Sequence, residues 1–557
     1  MTTRDGTRLD ADLYRPPGPG PFPVLLMRQP YGRAIASTVV YAHPRWYAAQ
    51  GYIVIIQDVR GRGSSEGDFQ LFASETNDGE DSIYWAAALP DSSGSVGMYG
   101  FSYQGMTQLY AASRSPEPLK ALCPAMVAYD LYCDWAYEGG AFCLQASLAW
   151  AIQIAAETAR IRGDATAYAA LRAAALAPSQ PPPGEERPSQ PALLTQFAPE
   201  SFYHDWVEQS SGDQAYWQSL VPNLTDVDLP MLHIGGWFDP YLRGTLNLYQ
   251  RVASPDSPLQ MQSPQHLWVG PWGHLPWGRR VGALDFGPAA VSPIDRLQVR
   301  WFDHFLKGED RGLLGQQPVS LFEMGGNAWR SHPTWPTPAP QVYELFSNGF
   351  AALDEGAGEL RQAAIAQPAI AQTAMIEDIL VHDPWRPVPS LGGHAAWPNG
   401  PVERSAIEAR SDVLTYSTAP LGAELTLAGA IALEVYCETE APSFDLCAVL
   451  SELRPDGSSF HLSQGYLHIA PADKQSAGPY RIELQATCCT IPPGHGLRLS
   501  LSAACFPAYG VNPGTGQHPN VASQLEQQVI TLRILSGSDR PSRLLLPQHL
   551  PVPRPSS

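Results

Sequence analysis

Four short apolar runs in the first 128 residues constrain this chain most: Val24–Met27, Tyr52–Gln57, Ser95–Tyr99 and Ala121–Val127. They are continuous rather than alternating, and stretches of helical spacing such as Thr76–Leu89 and Gln104–Arg114 lie between them. Such runs, interleaved with helices, require a mostly parallel sheet covered on both faces. The opening segment MTTRDGTRLDADLYRP reads as an alternating strand beside that sheet.

The pattern then changes twice. From about Tyr129 to Leu224 an alanine-rich helical stretch, Ser147–Ala177, precedes the Pro-rich loop SQPPPGEERPSQP and further aromatic helix-like sequence. This predicts a helical insertion. Strand runs return at Leu229–Gly235 and Leu267–Gly270. The segment Asp295–Leu306 follows, with Leu297, Trp301, Phe302 and Phe305 at amphipathic helix spacing. After about Pro333 short alternating runs between Gly/Pro turns dominate, for example Leu425–Tyr436 and Leu497–Ser502. They predict an all-β sandwich or jelly roll. The expected division is 1–128 and 225–332 for the α/β part, 129–224 for the insertion and 333–557 for the β domain.

With 44% hydrophobic and 16% charged residues, the 557-residue chain can bury several cores, which excludes disordered and fibrous classes. Lys+Arg is 35 against 54 Asp+Glu, a net charge of −19 that disfavours nucleic acid and anionic membranes as partners. No apolar stretch is long enough for a transmembrane helix, and the N-terminus has no apolar h-region. The expected compartment is the cytoplasm. The eight cysteines form no CxxC pair and read as buried free thiols. No His/Cys/Asp cluster has metal-ligand spacing, so no metal or other cofactor is expected.

The chemistry centres on Val96-Gly-Met-Tyr-Gly-Phe-Ser102-Tyr-Gln-Gly105. A strand ends at Gly100 and a helix begins near Tyr103. A serine on such a turn has its hydroxyl raised above the sheet, at the positive end of the helix dipole. Gln104 stands where a strict G-x-S-x-G would place a small residue, and an ordinary helix-capping serine is the competing reading. A nucleophilic serine needs a base and an orienting carboxylate. Pro230–Asp239 is a strand running into a loop that ends in an acid; Leu267–His274 runs into one that ends in a histidine. Both put their side chain at the carboxyl edge of the sheet, the edge of Ser102. Asp130 is the rival acid. His266 precedes its strand, His233 lies within its strand and His304 sits on the polar side of its helix. The Tyr103 backbone N–H is one candidate oxyanion donor. The loop Arg28–Arg33 offers the Tyr31 phenol as a second, unless Tyr31 only packs beside Pro30.

The ordered motifs RQPYG, DVRGRGSSEG, GFSYQG, GGWFDPY and GPWGH resemble the cocaine-esterase-like (CocE/NonD) serine hydrolases. These are relatives of the X-Pro dipeptidyl-peptidases and the α-amino-acid ester hydrolases. The resemblance extends to LQVRWFDHFLKG, LFEMGGNAWR, HDPWRPVPSLGG and FPAYGVNPGTG. It implies an α/β-hydrolase domain with an inserted helical cap, followed by a jelly roll of the galactose-binding type. It implies Ser102 as nucleophile, His274 as base, Asp239 as its orienting acid, and Tyr31 with the Tyr103 amide as oxyanion hole. That family's serine motif is G-x-S-Y-x-G, which accommodates Gln104. A dimer is implied by the resemblance alone.

The segment Asp58–Gly63 is read as a turn in which Arg60 pairs with Asp58 or Glu66, not as a phosphate loop. Asp239 is followed by Pro240, Tyr241 and Leu242, so no adjacent carboxylates hold a substrate amine. Glu138 is the one candidate anchor for a free amine, against the reading of a solvated charge. Trp135 and Tyr137 from the cap, Trp237 and Phe238 beside the acid, and Trp385 from the β domain are the expected pocket wall. Such a wall suits a neutral, bulky or aromatic acyl group. The expected activity is cleavage of a small-molecule ester, or an amide, through an acyl-enzyme. The alternatives are an X-Pro dipeptidyl-peptidase or β-lactam acylase on the same machinery, and a non-catalytic protein binding through its jelly roll.

Overall fold

The computed structural model describes residues 1–34, 38–177, 187–212, 215–363, 375–474, 478–537 and 539–549. Nine strands form the first sheet: β1 (Ala11–Tyr14), β2 (Phe22–Gln29), β3 (Ile53–Asp58), β4 (Ser92–Phe101), β5 (Leu119–Ala125), β6 (Met231–Phe238), β7 (Gln265–Gly273), β8 (Val319–Glu323) and β9 (Ala328–His332). Their spatial order is β1-β3-β2-β4-β5-β6-β7-β8-β9. The seven inner strands are parallel, and β1 and β9 close the edges antiparallel. Successive residues of the apolar runs feed opposite faces. Val24, Leu26, Ile53 and Ile55 enter one core, while Leu25, Met27, Val54 and Ile56 enter another. Burial on both faces is why these strands read as continuous apolar runs.

The chain passes from β2 to β3 on one side, then places β4 on the other side of β2. The carboxyl ends of β2 and β4 therefore flank the point where strand order reverses, the place where open α/β sheets bind ligands. Helices α1 (Pro44–Ala49), α2 (Glu75–Ala87) and α3 (Tyr103–Ala112) connect these strands. The insertion between β5 and β6 holds α4 (Leu144–Arg162), α5 (Ala165–Leu176), α6 (Ala192–Phe197), α7 (Phe202–Glu208) and α8 (Ala215–Ser219). The alanine-rich stretch breaks where Gly163 adopts a left-handed φ of 74° and Asp164 caps α5, accepting from the Ala167 N–H. Residues 178–186 of the Pro-rich loop lie outside the described residues. Helices α9 (Leu242–Ala253) and α10 (Ile294–Lys307) complete the α/β part. Among the described residues no helix is long and apolar enough to cross a membrane.

An eleven-stranded sheet follows, from Gln341–Ser347 to Arg543–Leu546. Its pairings are antiparallel but for one. The eight cysteines are free thiols; Cys133, exposed, and Cys143, half-buried, depart from the expected burial.

The three parts of the molecule converge on one carboxylate. Glu138, in the cap hairpin Tyr137–Phe142, accepts hydrogen bonds from Arg243 of α9 at 2.6 Å, His394 Nε2 at 2.9 Å and the Tyr509 hydroxyl at 2.6 Å. Burial alone would raise its pKa, but Arg243 and then His394 outweigh burial and lower it from an ordinary 4.5 to about 2. Beside it the His468 N–H donates to the Gly139 carbonyl at 2.8 Å, tying the hairpin to the β domain.

Glu138→Gln, which leaves the half-buried Arg243 without its counter-charge, should lower stability by about 1–3 kcal/mol at neutral pH. A depressed folded pKa stabilises the protein above about pH 4.5, and that contribution is lost as pH falls toward 2. The melting-temperature gap between wild type and Glu138→Gln should therefore narrow across that window. A gap constant with pH would refute this account.

Candidate active site

Ser102 stands between β4 and α3 with φ 60° and ψ −128°, a conformation that non-glycine residues avoid. The turn is tight. A Cβ on Gly100, itself at φ 148°, would lie 2.5 Å from Gln104 Cβ. One on Gly105 would lie 2.3 Å from Val127 Cγ1. The demand for small residues thus falls on Gly100 and Gly105, and position 104 can carry glutamine. The Ser102 side chain makes no capping bond to α3. The helix-capping reading therefore does not describe it; Ser102 lies with Tyr31 in the wall of a cavity.

Tyr31 sits on the loop after β2, which the DVRGRG turn positions. Its N–H donates to Gln29 Oε1 at 2.7 Å, and Gln29 Nε2 donates to Asp58 Oδ1 at 2.8 Å. Arg62 is buried, and its Nε donates to the Pro30 carbonyl at 2.9 Å. The expected partners of Arg60 need correction. Arg60 pairs with Asp78 and Asp5, while Asp58 is held by Arg33. Asp58 lies at the end of β3 and faces the Tyr31 loop, whereas Arg60 has already turned toward α2. Burial pushes the Tyr31 phenol up to about 12, so it stays protonated. Trp150 of α4 donates its indole N–H to the Tyr31 oxygen at 3.1 Å. The Tyr103 N–H, first in α3, has no acceptor among the described residues. Its own hydroxyl donates to buried Glu75 at 2.9 Å, and Glu75 pairs with buried Arg28.

Asp239 follows β6 and is fully buried. Its Oδ1 lies 2.8 Å from Nδ1 of His274, the residue after β7. Asp130 instead accepts from the Tyr132 N–H at 2.8 Å within its own loop. His233 is enclosed beside Gln265, and His266 packs on Trp301. Two β-domain side chains brace the acid loop. Gln485 Nε2 donates to the carbonyls of Trp237 and Asp239, and Asn399 Nδ2 donates to that of Phe238.

Ser102, Tyr31 and His274 open into one cavity of about 820 Å³. Of the expected wall residues, Trp135 lines it. The others do not, and each has a physical reason. The Tyr137 phenol is taken by the Trp206 carbonyl and Asn520, with its ring stacked on Tyr132. Glu138 is already answered by Arg243, so it is neither solvated nor an open amine anchor. Trp237 donates to the Phe322 carbonyl inside the core. Phe238 borders a different cavity, at the seam with the β domain. Trp385 is 56% exposed and borders a small cleft with Pro188 and Pro519. The remaining aromatic wall is Phe101 at the end of β4, Trp150 of α4, Tyr241 after the acid, and Trp397, 58% exposed, in a β-domain loop. Trp150 lies within the helical stretch and Tyr241 two residues after the acid, so both carried a local signal. Trp397 carried none beyond following the Gly392-Gly393 pair.

Residues 5–276 match the model of the X-Pro dipeptidyl-peptidase (S15) family. Residues 314–545 match the X-Pro dipeptidyl-peptidase C-terminal non-catalytic domain. The chain is 33% identical to the cocaine esterase of Rhodococcus sp. (strain MB1 Bresler), over 98% of this chain and 96% of that one. In fold it resembles an aminopeptidase from a marine sediment Thaumarchaeota archaeon, at 24% identity and a TM-score of 0.81. That likeness spans 98% of this chain and 95% of the other. An α-amino acid ester hydrolase gives the same coverage at 21% identity and a TM-score of 0.77. The chain thus belongs to the S15 family together with the cocaine-esterase-like enzymes, and it is a serine hydrolase built from an N-terminal α/β-hydrolase domain and a C-terminal β domain.

Proposed function

We propose that this enzyme cleaves esters of neutral, bulky or aromatic acids through an acyl-enzyme on Ser102. The observation that carries the reading is the His274 Nδ1–Asp239 bond within a cavity shared with the strained Ser102. A carboxylate on Nδ1 fixes the tautomer that leaves Nε2 as the base. Ser102 Oγ attacks the ester carbon as Nε2 takes its proton. The carbonyl oxygen becomes an oxyanion, stabilised by the Tyr31 hydroxyl and the Tyr103 N–H. Collapse breaks the C–O bond, and His274 protonates the departing alcohol. Water then adds to the acyl-enzyme by the same route and releases the acid and Ser102.

The aromatic lining of Trp135, Trp150 and Tyr241 supports the acyl preference. The peptidase alternative needs an anchor for a substrate ammonium, and the candidate, Glu138, is neutralised by Arg243. That favours the ester reading.

Ser102→Ala should abolish hydrolysis of a neutral aryl ester, by about 10⁴-fold or more. Tyr31→Phe should lower kcat by about 10²–10³-fold with little change in KM. Steady-state kinetics of the purified variants on one neutral ester and one Xaa-Pro anilide check both. Ser102-dependent anilide cleavage faster than ester cleavage would overturn the reading in favour of a peptidase.

In the same kinetics, Asp239→Asn should cost about 10⁴-fold in kcat while the protein stays folded. Retained activity would remove Asp239 from the mechanism.

A further inference from the structure

The β domain sends one loop into the cavity, and that loop carries a second histidine. Gly392 and Gly393 both adopt left-handed φ, 65° and 68°, and a Cβ on Gly393 would lie 2.3 Å from the His461 ring. This tight turn delivers His394 to the cavity wall. Downstream, the Trp397 N–H donates to Gln145 Oε1 of α4 at 3.1 Å, and Asn399 binds the acid loop. The loop is thus tied down on both sides of the cavity.

The two nitrogens of His394 are in different situations. Nε2 is 2.9 Å from Glu138 Oε2. That oxygen belongs to an ionised carboxylate, which can only accept, so Nε2 carries the proton. Nδ1 has no partner among the described residues, although His394 is only 4% exposed. In the neutral ring it is a bare lone pair, fixed in place by a buried ion cluster and borne by a residue that lines the substrate cavity. The rest of the lining is mostly apolar; of its polar side chains, Gln145 already accepts from the Trp397 N–H and Asn399 already donates to the Phe238 carbonyl. A lone pair desolvated there needs a donor from the ligand.

We infer that His394 is a specificity residue whose Nδ1 accepts a hydrogen bond from a hydroxyl or amide N–H carried by the substrate away from its scissile ester. This rests on the ester-hydrolase reading and narrows it. The substrate class is uncharged esters that combine an aromatic or bulky body with one hydrogen-bond donor. Methylating the donor removes the bond and adds bulk at the same place, so the site discriminates against the ether. Glu138 is a positioning residue in this arrangement. It fixes the tautomer and touches no substrate.

The test separates binding from turnover. Para-nitrophenyl arylpropanoates bearing hydroxyl, methoxyl or hydrogen at the meta or para position form one series. Phenylpropanoate esters of phenols with the same substituents form the other. Dissociation constants measured by calorimetry on Ser102→Ala should favour the hydroxyl over the methoxyl compound about tenfold in one of the two series. Ser102→Ala/His394→Gln retains a donor for Glu138 but has no Nδ1, and its ratio should fall to about 1. The same preference should appear in kcat/KM of the wild type. Equal binding of the pair in both series overturns the inference, as does a preference that survives His394→Gln. If the Gln variant does not fold, as judged by its melting curve, His394→Asn should retain the preference by supplying an amide oxygen near the Nδ1 position, and loss of preference there overturns it. Absence of Ser102-dependent turnover with any ester, together with an intact binding ratio, would instead reject the esterase reading alone.

Discussion

The buried carboxylate of Glu138 is the interaction on which the assembled cavity depends. It lies in the cap, its guanidinium partner Arg243 lies on a helix of the hydrolase domain, and its other two donors come from the β domain. Burying one charge costs several kcal/mol; burying the pair with further hydrogen bonds offsets that cost only when every partner is in register. A shift of the cap or the β domain would break several charged hydrogen bonds at once. The cluster therefore favours one relative placement of three chain segments, all of which contribute to the cavity wall.

A second constraint acts at Ser102. Its backbone conformation is strained, and the strain is sustained from beneath. Tyr103 anchors to Glu75 and Arg28, its ring stacks on Phe72 at 4.5 Å, and Gly100 and Gly105 admit the close approach of helix and strand. The Tyr31 loop is held by a separate set of contacts through Gln29, Asp58 and Arg62. The β domain is part of the same support, because Gln485 and Asn399 hold the carbonyls of the Asp239 loop.

Much of this was legible along the chain wherever cause and effect lie close together. The apolar runs marked the inner strands because burial on two faces leaves no room for alternation. Ser102, Asp239 and His274 each follow a strand end by one residue, so their common edge followed from a parallel sheet. Gln104 looked anomalous against the strict pattern, and the structure shows why it is tolerated: the contact that forbids a side chain is at Gly105. The pocket wall was less legible. Trp237 and Phe238 flank the acid, yet strand pleating and the β domain turn them into cores. Trp385 had the right character in the wrong part of its loop, while Trp397 and His394 reach the cavity.

The sequence by itself determined the sheet, the insertion, the β domain and the serine elbow, because these follow from periodicity and from sterics within a few residues. The tertiary structure decided what surrounds the serine. Glu138 is 105, 256 and 371 residues from the three side chains that hold it. No local pattern encodes such pairings, because a buried charge is answered by whichever donors packing brings within hydrogen-bond reach. That packing turned a glutamate read as an amine anchor or a solvated charge into a joint between three chain segments, and it set His394 in the cavity wall.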